Sequence, residues 1–181
     1  MDFSLLGWPE DGPTLELDWR SFSYAGKFAM SGTGKAVATD DETVLGALAF
    51  SEDRTDPNRA GIRYVTVRED VRGRAIGARV TAFAVDRIRS RYAAVRIGAN
   101  NPYSYEAFYK AGFGYTGERS GLAELMLEVP SERPPRRYQR GHARYLDRDL
   151  DDDLRGFAAD RVDATPPPMV DVPAPDPDGE N

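Results

Sequence analysis

Residues 67–78 read Val-Arg-Glu-Asp-Val-Arg-Gly-Arg-Ala-Ile-Gly-Ala, and this stretch decides the fold. It joins a β-rich run, residues 62–67, to a long segment with helical periodicity. A strand, a turn with little side-chain bulk and a helix N-terminus bring several unpaired backbone N–H groups together. The helix dipole adds partial positive charge there. The stretch therefore predicts a site for a phosphate-bearing ligand.

The segment after this turn predicts a helix over residues 75–91, because its apolar residues recur with a period near 3.6. The apolar stripe consists of Ile76, Val80, Phe83, Ala84 and Ile88. A strand over residues 94–99 follows. Asn101 is then a good N-cap for a short helix that starts at Pro102 and ends at Gly112.

The remaining pattern predicts strands on both sides of this region. They cover residues 14–17, 34–39, 44–51, 62–67, 113–116 and 122–129, and a short helix lies between residues 18 and 30. The order β-α-β-β-β-α-β-α-β-β indicates an α/β (α+β) fold, a mixed sheet with helices on both faces.

The flanking segments differ in composition from this region. We expect residues 1–12 to be a leader and residues 13–130 to be the folded domain. Residues 131–164 are expected to be a basic, then acidic, partly helical extension, in which residues 133–140 form a linker rich in Arg and Pro. Pro and Asp dominate residues 165–181, which predicts a disordered tail.

The rarest side chains exclude several kinds of chemistry. Cysteine is absent, and the single histidine, His142, lies in an Arg-rich stretch outside the predicted core. These facts argue against a thiolate or histidine-ligated metal site, a cysteine nucleophile and a histidine-based triad, so we expect no metal. No run of apolar residues is long enough to cross a membrane.

The charged residues point to an unusual cellular environment. The net charge is −6, and 21 of the 24 cationic side chains are arginine. This balance is typical of a halophilic, haloarchaeal protein, and a GC-rich genome is the alternative. The acidic charge argues against a nucleic-acid binder. Residues 1–4 lack the basic and apolar regions of a secretory signal, so we expect a cytoplasmic location.

Two segments resemble the GNAT N-acetyltransferase superfamily. Arg72-Gly73-Arg74-Ala75-Ile76-Gly77 is similar to the superfamily's acyl-CoA pyrophosphate loop, Arg/Gln-x-x-Gly-x-Gly/Ala, and likewise joins a strand to a helix. Residues 101–113 are similar to its Asn…Tyr…Gly-Phe segment. The resemblance covers residues 14–129. It implies a GNAT-type, mostly antiparallel central sheet of about seven strands with helices on both faces.

The resemblance implies an acyltransferase that moves the acetyl group of acetyl-CoA directly to a primary amine in a ternary complex. Main-chain groups of one strand would pair with the cosubstrate and polarise the acetyl carbonyl, and loop amides would hold the diphosphate. The implied cofactor-binding residues are Val65, Thr66, Val67, Arg72, Gly73, Arg74, Ala75, Ile76, Gly77, Ala78 and Asn101. For Asn101, a role as helix N-cap alone is the alternative.

The chain departs from the superfamily pattern at two positions. Ala75 replaces the first loop glycine, and we expect it to be right-handed at the helix start, where alanine is harmless; a positive φ, at which alanine is strained, is the alternative. The superfamily's tyrosine lies four residues before the Gly of Gly-Phe, which is Phe108 here, whereas Tyr109 lies three before it. Tyr109 is the candidate general acid, and a place in the buried face of its helix is the alternative.

The sequence does not single out the general base that would accept the proton of the amine. Glu69 is a weak general-base candidate among the carboxylates near strand ends, which are Glu52, Asp53, Glu69 and Asp70. Surface charge is the alternative for each of them, because Asp and Glu are abundant here.

Three further expectations complete the functional hypothesis. The acceptor is an amine-bearing small molecule or peptide, and a short region between the first two predicted strands would leave its cleft open. A homodimer is compatible with the sequence. The alternatives are a non-catalytic acyl-CoA-binding module, and an interaction protein whose residues 133–148 bind RNA or an acidic partner.

Overall fold

The computed structural model describes residues 1–121 and 124–174, which form two compact units. Unit 1 comprises Met1–Val95 and the chain from Asp171, and unit 2 comprises Arg96–Val170. In chain order the elements are β1 (Asp2–Gly7), α1 (Ala25–Phe28), β2 (Gly34–Asp40), β3 (Thr43–Glu52), β4 (Arg59–Val67), α2 (Ile76–Ile88), β5 (Ala94–Ala99), α3 (Pro102–Lys110), β6 (Gly114–Ser120), β7 (Glu124–Val129), α4 (Pro135–Leu146) and α5 (Asp152–Ala159). The seven strands form one sheet in the order β1-β2-β3-β4-β5-β7-β6.

In unit 1, strands β1 to β4 pair antiparallel and carry a helix on each face. Phe28 of α1 packs with Val37, Ala47 and Ala49 on one face. On the other face, the apolar stripe of α2 is buried, and its Phe83 ring lies 5.9 Å from that of Phe3. The prediction of a mixed, mostly antiparallel sheet with helices on both faces is confirmed.

The predicted first strand is wrong. Residues 14–17 belong to no strand, and the residues expected to be a leader contain β1, which pairs with β2. Leu15 and Leu17 pack against the Phe28 cluster, and the Leu15 N–H donates to the Phe28 carbonyl at 2.9 Å. Their alternation is a consequence of packing on the core, not of strand pairing.

The connection between the first two strands also differs from expectation. It runs over residues 8–33, so it is not short, and its helix α1 has only four residues, Ala25–Phe28. Asp18 does begin a turn there, since its carbonyl accepts from Ser21 and Phe22.

The later expectations on helices and strands agree better with the structure. Helix α2, strand β5 and helix α3 lie where the pattern placed them, and Gly112 ends α3 with a φ of 100°. The expected start of the last strand at residues 122–123, and the tail over residues 175–181, lie outside the described residues.

Unit 2 has an aromatic core, of which the sequence indicated only the face of α3 that carries Tyr109, as the alternative to its role as general acid. Five tyrosines are buried in it: Tyr105, Tyr109, Tyr115, Tyr138 and Tyr145. The predicted linker over residues 133–140 is wrong, because α4 begins at Pro135 and presents Tyr138, His142 and Tyr145 to this core. The placement of His142 outside the core is likewise corrected, since the side chain is fully buried.

Residues 164–170 are held against unit 2 without forming a helix or strand. The Gln139 amide donates to the Ala164 carbonyl at 2.9 Å, and the Val170 N–H donates to the Lys110 carbonyl at 2.8 Å. The expected disorder therefore does not begin at residue 165.

In unit 2, a polar cluster around the buried Glu106 joins α3, α4 and the turn that follows α5. Its Oε2 accepts from the Tyr138 hydroxyl at 2.6 Å and lies 3.7 Å from His142 Nε2 and 3.6 Å from Arg161 Nε. Burial lowers the pKa of His142. Neither ring nitrogen of His142 has a hydrogen-bond partner among the described residues.

None of the helices in the described part of the chain is long and apolar enough to cross a membrane.

Candidate functional site

The turn between β4 and α2 is open to solvent. Residues 72–75 are exposed, and Gly73 has a φ of 81° with no heavy atom within 4 Å of the position that a Cβ would occupy. Glycine is suited to this position because its left-handed backbone strains other residues. The loop backbone is therefore accessible to a ligand.

Six successive backbone amides in this turn have no hydrogen-bond acceptor among residues 1–121 and 124–174. The first intrahelical bond of α2 runs from the Arg79 N–H to the Ala75 carbonyl at 3.0 Å, and no side chain caps the helix. No acceptor in the described residues pairs with the N–H groups from Gly73 to Ala78. Unpaired amides at a helix start, together with the helix dipole, form an anion site.

Two glycines let the start of α2 lie close to the sheet. A Cβ on Gly46 would meet Ile76 Cγ2 at 3.0 Å, and one on Gly77 would meet Val67 Cγ2 at 3.3 Å. A side chain at either position would force its neighbour to move by a few tenths of an ångström. Gly46 and Gly77 therefore suit the close packing of the helix start on the sheet.

The expected right-handed conformation of Ala75 is wrong. Its φ of 58° and ψ of 15° are left-handed, and it is the N-cap of α2. A left-handed non-glycine residue costs about 1–2 kcal/mol, because Cβ crowds the following carbonyl oxygen. Ala75 keeps the N–H that the site uses, but the helix start is strained.

The arginines around the turn have different contacts. Arg72 lies near the Val67 carbonyl and the Ser23 hydroxyl, at 3.4 and 3.3 Å. Arg68 donates to both carboxylate oxygens of Asp70, at 2.6 and 2.9 Å, which lowers the pKa of Asp70. Arg74 makes no hydrogen bond or ion pair with any described residue; its charge helps Arg68 to lower the pKa of Asp70, and its side chain is exposed and accessible to a ligand.

Strand β4 carries a bulge next to the predicted cosubstrate strand segment. Ile62 and Tyr64 pair with the adjacent residues Phe50 and Ala49 of β3, so Arg63 is an extra residue in β4. Bulges bend a strand and are frequent beside active sites. No signal in the sequence indicated this one.

Past the bulge, Val65, Thr66 and Val67 pair with Leu48, Ala47 and Gly46 of β3. Thr66 lies opposite Ala47 and so faces the α1 side of the sheet, because paired residues share a face. Its buried hydroxyl has no hydrogen-bond partner among the described residues.

Of the four candidate general bases, Glu52 and Asp53 lie beside the start of β4, whereas the anion site follows the end of that strand. Glu52 pairs with Ala60 and Asp53 follows it, about 23 Å along the strand from Val67 at 3.3 Å per residue. Asp53 accepts from Thr55 and Arg59. These two carboxylates are far from the anion site.

Glu69 lies next to the turn. Its Oε1 is 3.7 Å from Arg72 Nη2, and its carboxylate is 61% exposed. It is therefore accessible to a substrate, and its role as general base stays a prediction.

The two predicted site residues of unit 2 have structural partners there. Asn101 caps α3, accepting from the Ser104 N–H at 2.9 Å, as predicted. The fully buried Tyr109 hydroxyl accepts from the Tyr115 N–H at 2.9 Å, and burial raises its pKa. These contacts favour a core role for Tyr109, so its role as general acid stays a prediction, as does cofactor contact by Asn101.

Phe108, at the superfamily's tyrosine position, is also buried, and its ring lies 6.2 Å from that of Phe113. Because a phenylalanine ring carries no proton to donate, no acid is available at this position.

Sequence reasoning missed a segment of unit 1 that contacts the turn. The Glu69 N–H donates to the Ser21 carbonyl at 3.0 Å, and Arg72 contacts Ser23 as described above. The Tyr24 ring lies 5.5 Å from that of Tyr64 on β4. For this segment the sequence predicted only a short helix between residues 18 and 30, of which the structure has Ala25–Phe28.

No group of three or more His, Asp or Glu side chains in the described ranges could hold a metal ion. The free amides and the Arg74 charge instead suit a phosphate or diphosphate group.

Solved structures of other proteins are similar to part of this chain. An N-acetyltransferase from Staphylococcus aureus Mu50 is similar at 19% identity, over 54% of this chain and 67% of that one, with a TM-score of 0.45. A Bacillus subtilis acetyltransferase in complex with CoA is similar at 15% identity, over 55% of this chain and 78% of that one, with a TM-score of 0.47. The PaiA N-acetyltransferase of Thermoplasma acidophilum, in complex with coenzyme A, is similar at 18% identity, over 52% of this chain and 58% of that one, with a TM-score of 0.43.

Among curated proteins, none matches this sequence. The family model described as "Acetyltransferase (GNAT) family" matches residues 2–115, which is more than half of the chain and includes β1 and the whole turn before α2. The chain therefore belongs to the acetyltransferase (GNAT) family.

Proposed function

We propose that this protein is an N-acetyltransferase that moves the acetyl group of acetyl-CoA to a primary amine in a ternary complex. One observation carries the proposal: the backbone amides from Gly73 to Ala78 are unpaired within the described residues, at an exposed helix start. Acetyl-CoA supplies an activated acetyl thioester and a diphosphate that suits those amides.

The chain's own groups would perform three tasks. The amides of residues 73–78, with Arg74, would bind the diphosphate and so fix the position of the thioester. Main-chain groups of Val65, Thr66 and Val67 would orient the acyl arm, and an N–H of this segment would stabilise negative charge on the carbonyl oxygen. Glu69 would accept the proton that the amine loses, directly or through water.

The transfer balances without a further reactant. The amine nitrogen forms a bond to the acetyl carbon, the carbon–sulfur bond breaks, and its electron pair remains on sulfur as the thiolate. A thiol has a pKa of about 8.5, so this thiolate leaves readily near neutral pH. The reaction therefore does not require the Tyr109 hydroxyl as an acid.

A second candidate function is binding of acyl-CoA without catalysis. The observation that favours it is the buried Tyr109 hydroxyl, together with the phenylalanine at the adjacent position. Binding of acetyl-CoA without turnover of any amine would support this candidate.

The test uses calorimetry with acetyl-CoA on the full chain. Arg74→Glu places a negative charge beside the free amides, and we expect it to weaken binding at least about tenfold, which is 1.4 kcal/mol. Arg54→Glu is the matched control, because Arg54 is exposed in the loop at the opposite end of β4. Inorganic pyrophosphate should compete with acetyl-CoA in the parent protein.

Equal affinity in the Arg74→Glu variant and its control, with no competition by pyrophosphate, would overturn the proposed site. Release of free CoA, measured over a panel of amines, then separates transfer from binding. The cytoplasmic location, the halophilic origin and the homodimer stay predictions.

A further inference from the structure

The segment missed by sequence analysis forms a groove on unit 1. The groove is shallow and open to solvent, with a volume of about 500 Å³. It is lined by Trp19, Phe22, Ser23, Tyr24, Ala25, Gly26, Lys27 and Met30.

Large apolar side chains are unusually exposed in this groove. Trp19 is 73% exposed, Met30 59% and Tyr24 52%. Single exposed apolar residues are ordinary, but a cluster of them in a concave site is typical of a binding surface.

The backbone at the groove is strained. Tyr24 is left-handed, with a φ of 60° and a ψ of 19°. Such a conformation costs about 1–3 kcal/mol in a non-glycine residue and is common at ligand sites. Here it directs a bulky ring to the surface beside Tyr64.

The groove adjoins the candidate site through contacts within unit 1. Ser23, which lines it, accepts from Arg72, and Ser21 accepts from the Glu69 N–H. Tyr24 lies against Tyr64, two residues before Thr66 on the same face of β4. A molecule in the groove therefore lies beside strand β4 and the Glu69 carboxylate, which take part in the acetyl transfer under the proposed function.

Charge restricts which molecules fit. Lys27 is the one charged side chain in the groove lining, and no Asp or Glu among the described residues lines it. A polycation such as a polyamine would meet a like charge in the lining, and the carboxylate nearest to it, Glu69, is the one that the proposed function assigns to the transfer. A molecule with an apolar body and its own carboxylate would meet aromatic rings and an ammonium group.

We infer that this groove is the acceptor subsite and that it takes an amino acid-like acceptor, a primary amine that carries an aromatic group and a carboxylate. The inference rests on the proposed function. The aromatic group packs between Trp19 and Tyr24, and Lys27 holds the carboxylate.

The experiment measures free CoA release by the full chain with four amines. L-phenylalanine and L-alanine differ in the ring, L-phenylalanine and phenethylamine differ in the carboxylate, and spermidine represents the polycations. We expect L-phenylalanine to have the highest kcat/KM of the four. A higher value for L-alanine, phenethylamine or spermidine would overturn the inference.

Two variants assign the contacts. Lys27→Glu should raise the KM for L-phenylalanine about tenfold and leave that for phenethylamine unchanged. Trp19→Ala should raise both KM values. Arg54→Glu is the control for the charge change. If Lys27→Glu raises both KM values equally, the lysine does not hold the carboxylate, and the inference fails.

The two proposals fail differently. If acetyl-CoA does not bind, the proposed function fails. If it binds and spermidine is the acceptor, only the subsite is wrong. If acetyl-CoA binds and no amine reacts, calorimetry of L-phenylalanine with the CoA-saturated protein tests the subsite. The subsite is wrong if L-phenylalanine does not bind, or if Trp19→Ala leaves its affinity unchanged.

Discussion

Replacing Ala75 by glycine should make the protein more stable, although glycine usually weakens a helix. Ala75 is left-handed at the first position before α2. Glycine would relieve a strain of about 1–2 kcal/mol. It would also add about 0.4–1 kcal/mol of conformational entropy to the unfolded chain. The expected net gain is about 0.5–1 kcal/mol in the free energy of unfolding.

The matched control is the same substitution three residues further on. Ala78 is right-handed, buried and inside α2. Ala78→Gly loses about 1 kcal/mol of helix propensity and about 0.8 kcal/mol for the buried methyl group. We therefore expect a destabilisation of about 2 kcal/mol, opposite in sign to the effect at Ala75.

Urea unfolding followed by circular dichroism measures both variants. For Ala75→Gly, the midpoint should rise with no change in the slope of the transition, and the melting temperature should rise by about 2–3 °C. Acetyl-CoA affinity should be retained, because the residue 75 N–H remains. A loss of stability similar to that of Ala78→Gly would refute the left-handed helix start.

Unit 2 yields three further predictions. Gly141→Ala should destabilise the protein, because the new Cβ would lie 2.0 Å from the Tyr105 hydroxyl. Gly156 has open space around it, so Gly156→Ala should raise the free energy of unfolding in urea by about 0.5–1 kcal/mol. Stabilisation by both substitutions would contradict the packing around Gly141. Burial lowers the pKa of His142 below its unfolded value, so the stability that this residue contributes is present above about pH 6.5 and lost as the pH falls. His142→Phe should therefore show a smaller drop in melting temperature between about pH 7 and pH 5, and an unchanged drop would exclude His142 as its cause. Tyr109→Phe should lower the free energy of unfolding by about 1–3 kcal/mol, because it leaves the Tyr115 N–H of β6 without its partner. If kcat also falls at temperatures well below the melting temperature, while acetyl-CoA affinity is unchanged, Tyr109 acts as the general acid after all.

The sequence predicted the elements whose periodicity is strong and local. The apolar stripe of α2 and the Asn101–Pro102 helix start follow from side-chain spacing and capping chemistry, and the structure has both. Strand pairing is different, because alternation shows only that one face is buried. Leu15 and Leu17 alternate and are partly buried, yet they pair with no strand.

Helix α4 could have been found from its spacing. Tyr138, Gly141, His142 and Tyr145 recur at i, i+3, i+4 and i+7, a helical stripe whose aromatic members were hidden by the surrounding arginines and prolines. Two site features left no such signal. The left-handed backbone of Ala75 and the extra residue at Arg63 are set by how the chain packs on the sheet.

The aromatic core of unit 2 has a practical consequence for truncated forms of this protein. The family match ends at residue 115, yet Tyr138, His142 and Tyr145 of α4 are buried in that core. A shortened chain that stopped soon after β7 would present a ring-rich, uncovered surface to water and leave the Glu106 carboxylate without its phenol partner. Such a fragment should precipitate or multimerise, and its inactivity would then say nothing about the turn before α2.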